Sequence, residues 1–151
     1  MGQASLQFVR EFDVAPAALF AAISDHEGMS RWLDVRVTLV ARGDAQGVGA
    51  VRRVEVSGLS FDETVVYSDA PVRLVYRITR GVPVSFHRGE MLVEALGADR
   101  SRLTWNIVMV GSIPGLVHGI ALALRPAIEG GLVKLEAILR ERSGVALEQH
   151  A

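Results

Sequence analysis

Four side chains able to do chemistry fall on strand faces that are otherwise apolar: Arg52, Glu63, Tyr76 and His87. Side chains alternate sides along a strand, so residues two apart share a face. One face carries Arg52, Val54 and Val56, then Phe61, Glu63, Val65 and Tyr67, then Leu74, Tyr76 and Ile78. The opposite face carries Arg53, Glu55, Asp62, Thr64, Arg73 and Arg77 and is the wet one. In the next strand Ser85, His87, Gly89, Met91 and Val93 alternate with a set containing Arg88, Glu90 and Glu94, so the His87 side is taken as inward. A polar group on a dry face is costly unless it is paired. Arg52 and Glu63 sit on successive strands within cross-strand reach. They are either a buried structural ion pair or a polarised anchor, in which Arg52 holds a carbonyl or enolate oxygen while Glu63 moves a proton. Tyr76 is a wall residue tied to a neighbour, or a second holder of that oxygen. An inward His87 is an acid/base. His118 falls on the helix face with Arg125, Glu129 and Glu136, His26 lies in a charged turn and His150 in the tail, so none of these is expected in a site.

Other chemistries are excluded by what is missing. The chain has 151 residues, a net charge of −1 and no cysteine. Thiolate metal sites, disulfides and cysteine nucleophiles are therefore out. No basic excess marks a nucleic-acid partner. Gly47-Val48-Gly49 begins like a dinucleotide fingerprint, but Arg52 stands at the third glycine and a strand follows where a helix is required. There is no H-E-x-x-H ligand pattern and no G-x-S-x-G elbow, so neither a metal nor a cofactor is expected.

The elements that must position these residues come in a simple order. A strand at Ser5–Val14 is followed by a helix starting near Pro16 and a second short helix over Met29–Leu33 that presents Trp32. Six strands follow, then a helix over Ile113–Arg142 whose stripe is Leu116, Ile120, Leu124, Ile128, Leu135 and Ile138. Ala127 and Gly131 on that stripe either let the helix approach the sheet or leave room for a ligand. Short connections make the sheet antiparallel. The helix then has one place to bury its stripe, the concave face of the sheet. The expectation is an α+β chain, one domain over residues 1–142 with a frayed tail at 143–151. No charged residue occurs from Leu103 to Leu124, a run of bilayer length by the roughly 20-residue rule. Gly111-Ser112-Ile113-Pro114-Gly115 divides it, so a strand and a helix are expected rather than a membrane span. The opening residues MGQASLQFVREFD contain no apolar h-region, and the protein is expected in the cytoplasm.

This order and several local patterns resemble the START/Bet v 1-like (SRPBCC) superfamily, and its polyketide cyclase/dehydrase branch in particular. The patterns are Val14-Ala15-Pro16 after the first strand, Trp32 after the second helix, and Gly49-Ala50-Val51-Arg52 at a strand start. Glu63, Asp69, Tyr76 and Ser101-Arg102-Leu103-Thr104-Trp105 follow in the same order. The resemblance implies a helix-grip fold, a curved antiparallel sheet of about seven strands wrapped around the long C-terminal helix. It also implies a cavity for a small hydrophobic or aromatic, polyketide- or lipid-like molecule. Trp32, Phe61, Tyr67, Met91, Trp105, Leu124, Ala127 and Gly131 are expected to line it. If the protein is an enzyme, cofactor-free cyclisation, dehydration or isomerisation follows, with Glu63 and His87 exchanging protons and Arg52 and Tyr76 holding the oxygen. The alternatives are a non-catalytic carrier or sensor and a protein-interaction module. A homodimer is compatible with each.

Overall fold

The computed structural model describes residues 2–150, with side chains through Gly144. The chain forms strand β1 (Gly2–Phe12), helix α1 (Pro16–Ser24), a 3₁₀ helix (Glu27–Arg31), strands β2 (Arg36–Ala41), β3 (Val51–Val56), β4 (Leu59–Asp69), β5 (Arg73–Arg80), β6 (Phe86–Gly97) and β7 (Arg100–Gly111), and helix α2 (Leu116–His150). The strands make one antiparallel sheet in the order β1-β7-β6-β5-β4-β3-β2. Consecutive strands pair from β2 to β7, as short hairpins dictate, and only β1 crosses over, to close on β7. This is the α+β helix-grip arrangement that the resemblance implies.

Each boundary that differs from the sequence reading has a pairing reason. β1 begins at Gly2 because its ladder with β7 runs unbroken from Gly2 opposite Gly111 to Phe12 opposite Ser101. β6 begins at Phe86 because Phe86 is the first residue to pair with β7. Ser57 and Gly58, both with positive φ, turn β3 into β4 with a two-residue loop. The 3₁₀ helix starts before Met29 and is tied to edge strand β2: Ser30 Oγ accepts from Val37 N–H at 2.9 Å and donates to the Val37 carbonyl at 3.3 Å. Ser101 Oγ, fully buried, donates to the Val14 carbonyl at 2.9 Å and pins the chain where it enters α1.

α2 packs chiefly on β1. Its deepest side chains are Val117, Ile128, Leu132, Leu135 and Leu139. Ile120 and Leu124, expected on the buried stripe, are only half-buried. Arg10, which shares a face with Leu6, Phe8 and Phe12, bonds Glu136 across the gap to α2, and Arg140 bonds the same carboxylate at 2.8 Å. The helical assignment is continuous through Pro126 and extends past the expected end at Arg142. α2 is long and apolar enough to cross a membrane by length and composition alone, but here its buried side rests on the sheet. Residue 151, the end of the expected tail, lies outside the described residues, as do the side chains beyond Gly144.

Candidate functional site: a cavity with one polar end

Between the N-terminal half of α2 and strands β3 to β7 lies a cavity of about 100 Å³. A water needs roughly 10–15 Å³ by this measure and an engineered cavity of about 150 Å³ takes benzene, so a guest of benzene size or larger has to widen the space under α2 or extend through its mouth. The walls are mostly apolar: Val54 and Phe61 from the hairpin, Ile107 and Met109 from β7, Ile120 and Leu124 from α2. This explains why Ile120 and Leu124 are half-buried, since they face open space rather than packed side chains. Ser57, Leu59 and Ala123, all exposed, mark the mouth.

The polar end is built on four strands. Arg52 on β3 stands directly opposite Glu63 on β4, and Arg52 Nε donates to Glu63 Oε1 at 2.9 Å. Arg52 is only 2% exposed. Its Nη1 donates to His26 Nδ1 at 3.2 Å and to Met29 Sδ at 2.9 Å. Its guanidinium lies 4.5 Å from the centroid of the Tyr76 ring, a cation–π contact made in a desolvated setting. Tyr76 Oη accepts from Trp105 Nε1–H at 2.8 Å. His87 on β6 packs its ring against Tyr76, 5.6 Å between centroids.

Two histidine tautomers follow from these bonds. The Ile78 backbone N–H donates to His87 Nδ1 at 2.8 Å, so the His87 proton sits on Nε2. Arginine can only donate, so His26 Nδ1 is likewise the acceptor and His26 Nε2 carries the proton. Both rings are neutral for a physical reason: burial, and then the charge of Arg52, push each pKa down to about 4. Glu63 moves the other way. Its burial outweighs the pull of Arg52 and raises its pKa above the ordinary carboxylate value. Burial, and then the Glu63 charge, raise the Tyr76 hydroxyl further from ionisation.

The expected site residues therefore divide. Arg52, Glu63, Tyr76 and His87 come together, and Phe61, Trp105, Leu124 and Ala127 line the same cavity. Four others do not. Counting by twos puts Tyr67 on the inner face, but Val66 is an extra residue in β4: Val65 pairs with Tyr76 and Tyr67 with Val75. That bulge restarts the alternation, so Tyr67 points outward, is 45% exposed and carries the Arg73 guanidinium on its ring. Met91 faces inward but is sealed in the core. Trp32 is buried behind Trp105, edge-on to it at 6.2 Å, and braces the wall without forming it. Gly131 leaves no room for a guest: a Cβ there would lie 2.7 Å from Leu33 Cδ2 and 2.9 Å from the Trp32 carbonyl oxygen.

Sequence reasoning missed His26 and Met29. Neither lies on a strand, so no periodicity assigns them a face. A count of donors could have pointed to them, because a buried arginine carries five N–H groups and Glu63 alone cannot serve them all. Among the described residues no group of His, Cys, Asp and Glu could hold a metal ion.

A seven-stranded antiparallel sheet gripping a long C-terminal helix, with a cavity between them, defines the START/Bet v 1 class of folds. The chain belongs to the polyketide cyclase/dehydrase and lipid transport family, whose model matches residues 3–140. No curated protein matches it. Among solved structures it is similar to a START superfamily protein from Mycobacterium smegmatis, at 16% identity and a TM-score of 0.76, covering 93% of this chain and 99% of that one. It is also similar to a Thermus thermophilus protein at 19% identity and a TM-score of 0.75, again covering 93% and 99%. A Thermobifida fusca protein matches at 22% identity and a TM-score of 0.71, covering 89% and 92%. At these identities the likeness is one of fold. Family and fold together suggest hydrophobic-ligand binding.

Proposed function

We propose that the protein binds a small hydrophobic or aromatic molecule, polyketide- or lipid-like, in the cavity between α2 and the sheet, and that it does so in the cytoplasm. One observation carries this reading: apart from Ser57 at the mouth, the cavity wall is apolar except at one end, where Arg52, Glu63, Tyr76 and His87 converge. Such a site holds an apolar body by burial and orients it through a few fixed polar groups. Native mass spectrometry of protein purified from cells tests it. An adduct that leaves on denaturation is expected, and its consistent absence from freshly purified protein would count against the reading.

A catalytic second reading is favoured by His87. Its proton is fixed on Nε2 by the Ile78 bond to Nδ1, and Glu63, with a raised pKa, lines the same cavity. A substrate carbonyl held by Arg52 could then enolise, with protons passing through Glu63 and His87, which is the chemistry of cofactor-free cyclisation, dehydration or isomerisation. Glu63→Gln separates the two readings. An enzyme keeps binding and loses turnover, whereas a carrier has no turnover to lose.

A further inference from the structure

We propose that the preferred ligand is an apolar carboxylate whose oxygens lie between Arg52 and His87, and that Glu63 takes up a proton when it binds. This rests on the cavity-binding reading above and adds the chemistry of the ligand's polar end.

The polar end of the cavity is rich in donors. Arg52 Nε is taken by Glu63 and Nη1 by His26 and Met29, and Nη2 makes no hydrogen bond among the described residues. His87 Nδ1 is taken by the Ile78 N–H, which leaves its Nε2–H to give. Tyr76 Oη already accepts from Trp105, so its own proton is available as well. Among the described residues Arg73 Nε is the only buried side-chain nitrogen or oxygen sealed away without a partner. Arg52 Nη2, His87 Nε2 and the second oxygen of Glu63 are thus not sealed away, and all three residues line the cavity. A carboxylate offers two oxygens with about four lone-pair sites to such donors. Charge-assisted bonds of that kind are about twice as strong as neutral ones.

Charge counting supplies the proton. The polar groups that share the cavity with Glu63 are Arg52 from β3, Tyr76 from β5, His87 from β6, Trp105 from β7 and Ser57 at the mouth, with His26 in the turn before the 3₁₀ helix reaching Arg52, while α2 contributes only Ile120, Ala123, Leu124, Ala127 and Ile128. With both histidines neutral, the empty site holds one cation and one carboxylate. A second carboxylate would leave a net negative charge in a dry pocket, and two carboxylates beside one guanidinium raise each other's proton affinity. In the empty site Glu63 is the carboxylate paired with Arg52, and its burial raises its proton affinity, so the arrival of a second negative charge favours protonation there. The proton comes from solvent and rests on Glu63, the ligand stays ionised against Arg52, and no other bond changes.

Isothermal titration of the full chain with cinnamate and with cinnamamide, near neutral pH and in phosphate and Tris buffers, tests both parts. Cinnamate should bind at least about tenfold tighter than the amide. The buffer dependence of its heat should report uptake of about one proton, and its affinity should fall toward about tenfold per pH unit as pH rises. Glu63→Gln should keep the preference for cinnamate and lose the buffer dependence. Equal affinity for acid and amide overturns the carboxylate. Selective cinnamate binding without proton uptake, or uptake that survives in Glu63→Gln, overturns the role of Glu63. If neither compound binds, the carboxylate proposal is overturned, while the cavity-binding reading stands or falls on the co-purified adduct.

Discussion

The ring of Tyr76 lies directly over the backbone of Gly89, its partner in the β5–β6 ladder, so that a Cβ at residue 89 would fall 2.1 Å from Tyr76 Cζ. The missing side chain on β6 is what lets the Tyr76 ring lie flat against the sheet. There it receives the Arg52 guanidinium on its face and the Trp105 N–H on its oxygen. Gly89→Ala should therefore expel the ring and break both contacts. A loss of about 1–3 kcal/mol is expected, the usual scale of overpacking. Urea denaturation reads the loss, and near-ultraviolet circular dichroism reads the changed surroundings of Trp105.

The Arg52–Glu63 pair should behave as a unit. Removing one partner leaves the other charged and buried, at a cost of about 3–5 kcal/mol, while apolar replacement of both is often nearly neutral. Arg52→Met and Glu63→Leu should each destabilise strongly, and the double variant less than the sum of the two. A double-mutant cycle in urea measures the difference. Additive losses would mean that the two side chains do not depend on each other.

Acid should weaken the fold through its histidines. The His87 pKa falls from 6.5 to about 4 on folding, so the unfolded chain binds the proton more tightly. The stability tied to neutral His87 is present in full above pH 6.5 and is lost as pH falls toward about 4. His26 acts in the same direction. Glu63 acts oppositely, because a raised carboxyl pKa favours the fold at low pH and costs stability as pH rises. His87→Asn can still accept the Ile78 N–H through Oδ1 and has no titrating ring. It should flatten the acid slope by up to about 1.4 kcal/mol per pH unit, read from urea midpoints across that window.

Two adjacent glycines on α2 should respond with opposite signs. A Cβ at Gly130 meets nothing within 4 Å, so Gly130→Ala should stabilise by about 0.5–1 kcal/mol through helix propensity. A Cβ at Gly131 would press on Leu33 and the Trp32 carbonyl, where α2 meets the segment after the 3₁₀ helix. Gly131→Ala should destabilise despite the same gain in propensity. Thermal melts of the two variants side by side settle the comparison.

The contrast between these residues shows what the sequence could and could not carry. Period-2 alternation put Arg52, Glu63, Tyr76 and His87 on one face because the β3–β4 and β5–β6 ladders run without a slip through Arg52 opposite Glu63 and Tyr76 opposite Gly89, and the irregularity of the β4–β5 ladder beside Glu63 leaves all four on the cavity side. It failed at Tyr67, where one extra residue reversed the count, and a bulge leaves no mark in an apolar run such as Val65-Val66. Helical spacing allowed Gly131 to be space for a ligand, whereas the glycine lets a neighbouring backbone come close. His26 sits in a turn whose position is set by the Ser30–Val37 bonds, a tertiary contact with no local signature. The order of elements and the grip on the helix were legible; residues outside regular periodicity were not.

The most direct test of an apolar-ligand cavity is a fluorescence titration with N-phenyl-1-naphthylamine, a neutral dye that brightens in apolar surroundings. Three proteins are compared: the natural chain, Ala127→Phe, whose ring would project into the cavity, and Leu122→Gln, on the outer face of α2 where Leu122 is 77% exposed. Saturable binding is expected for the natural chain and for Leu122→Gln, with affinity lower by about tenfold or more in a folded Ala127→Phe. Undiminished binding by Ala127→Phe, or its loss in Leu122→Gln alone, would place the dye on the surface and contradict a ligand site between α2 and the sheet.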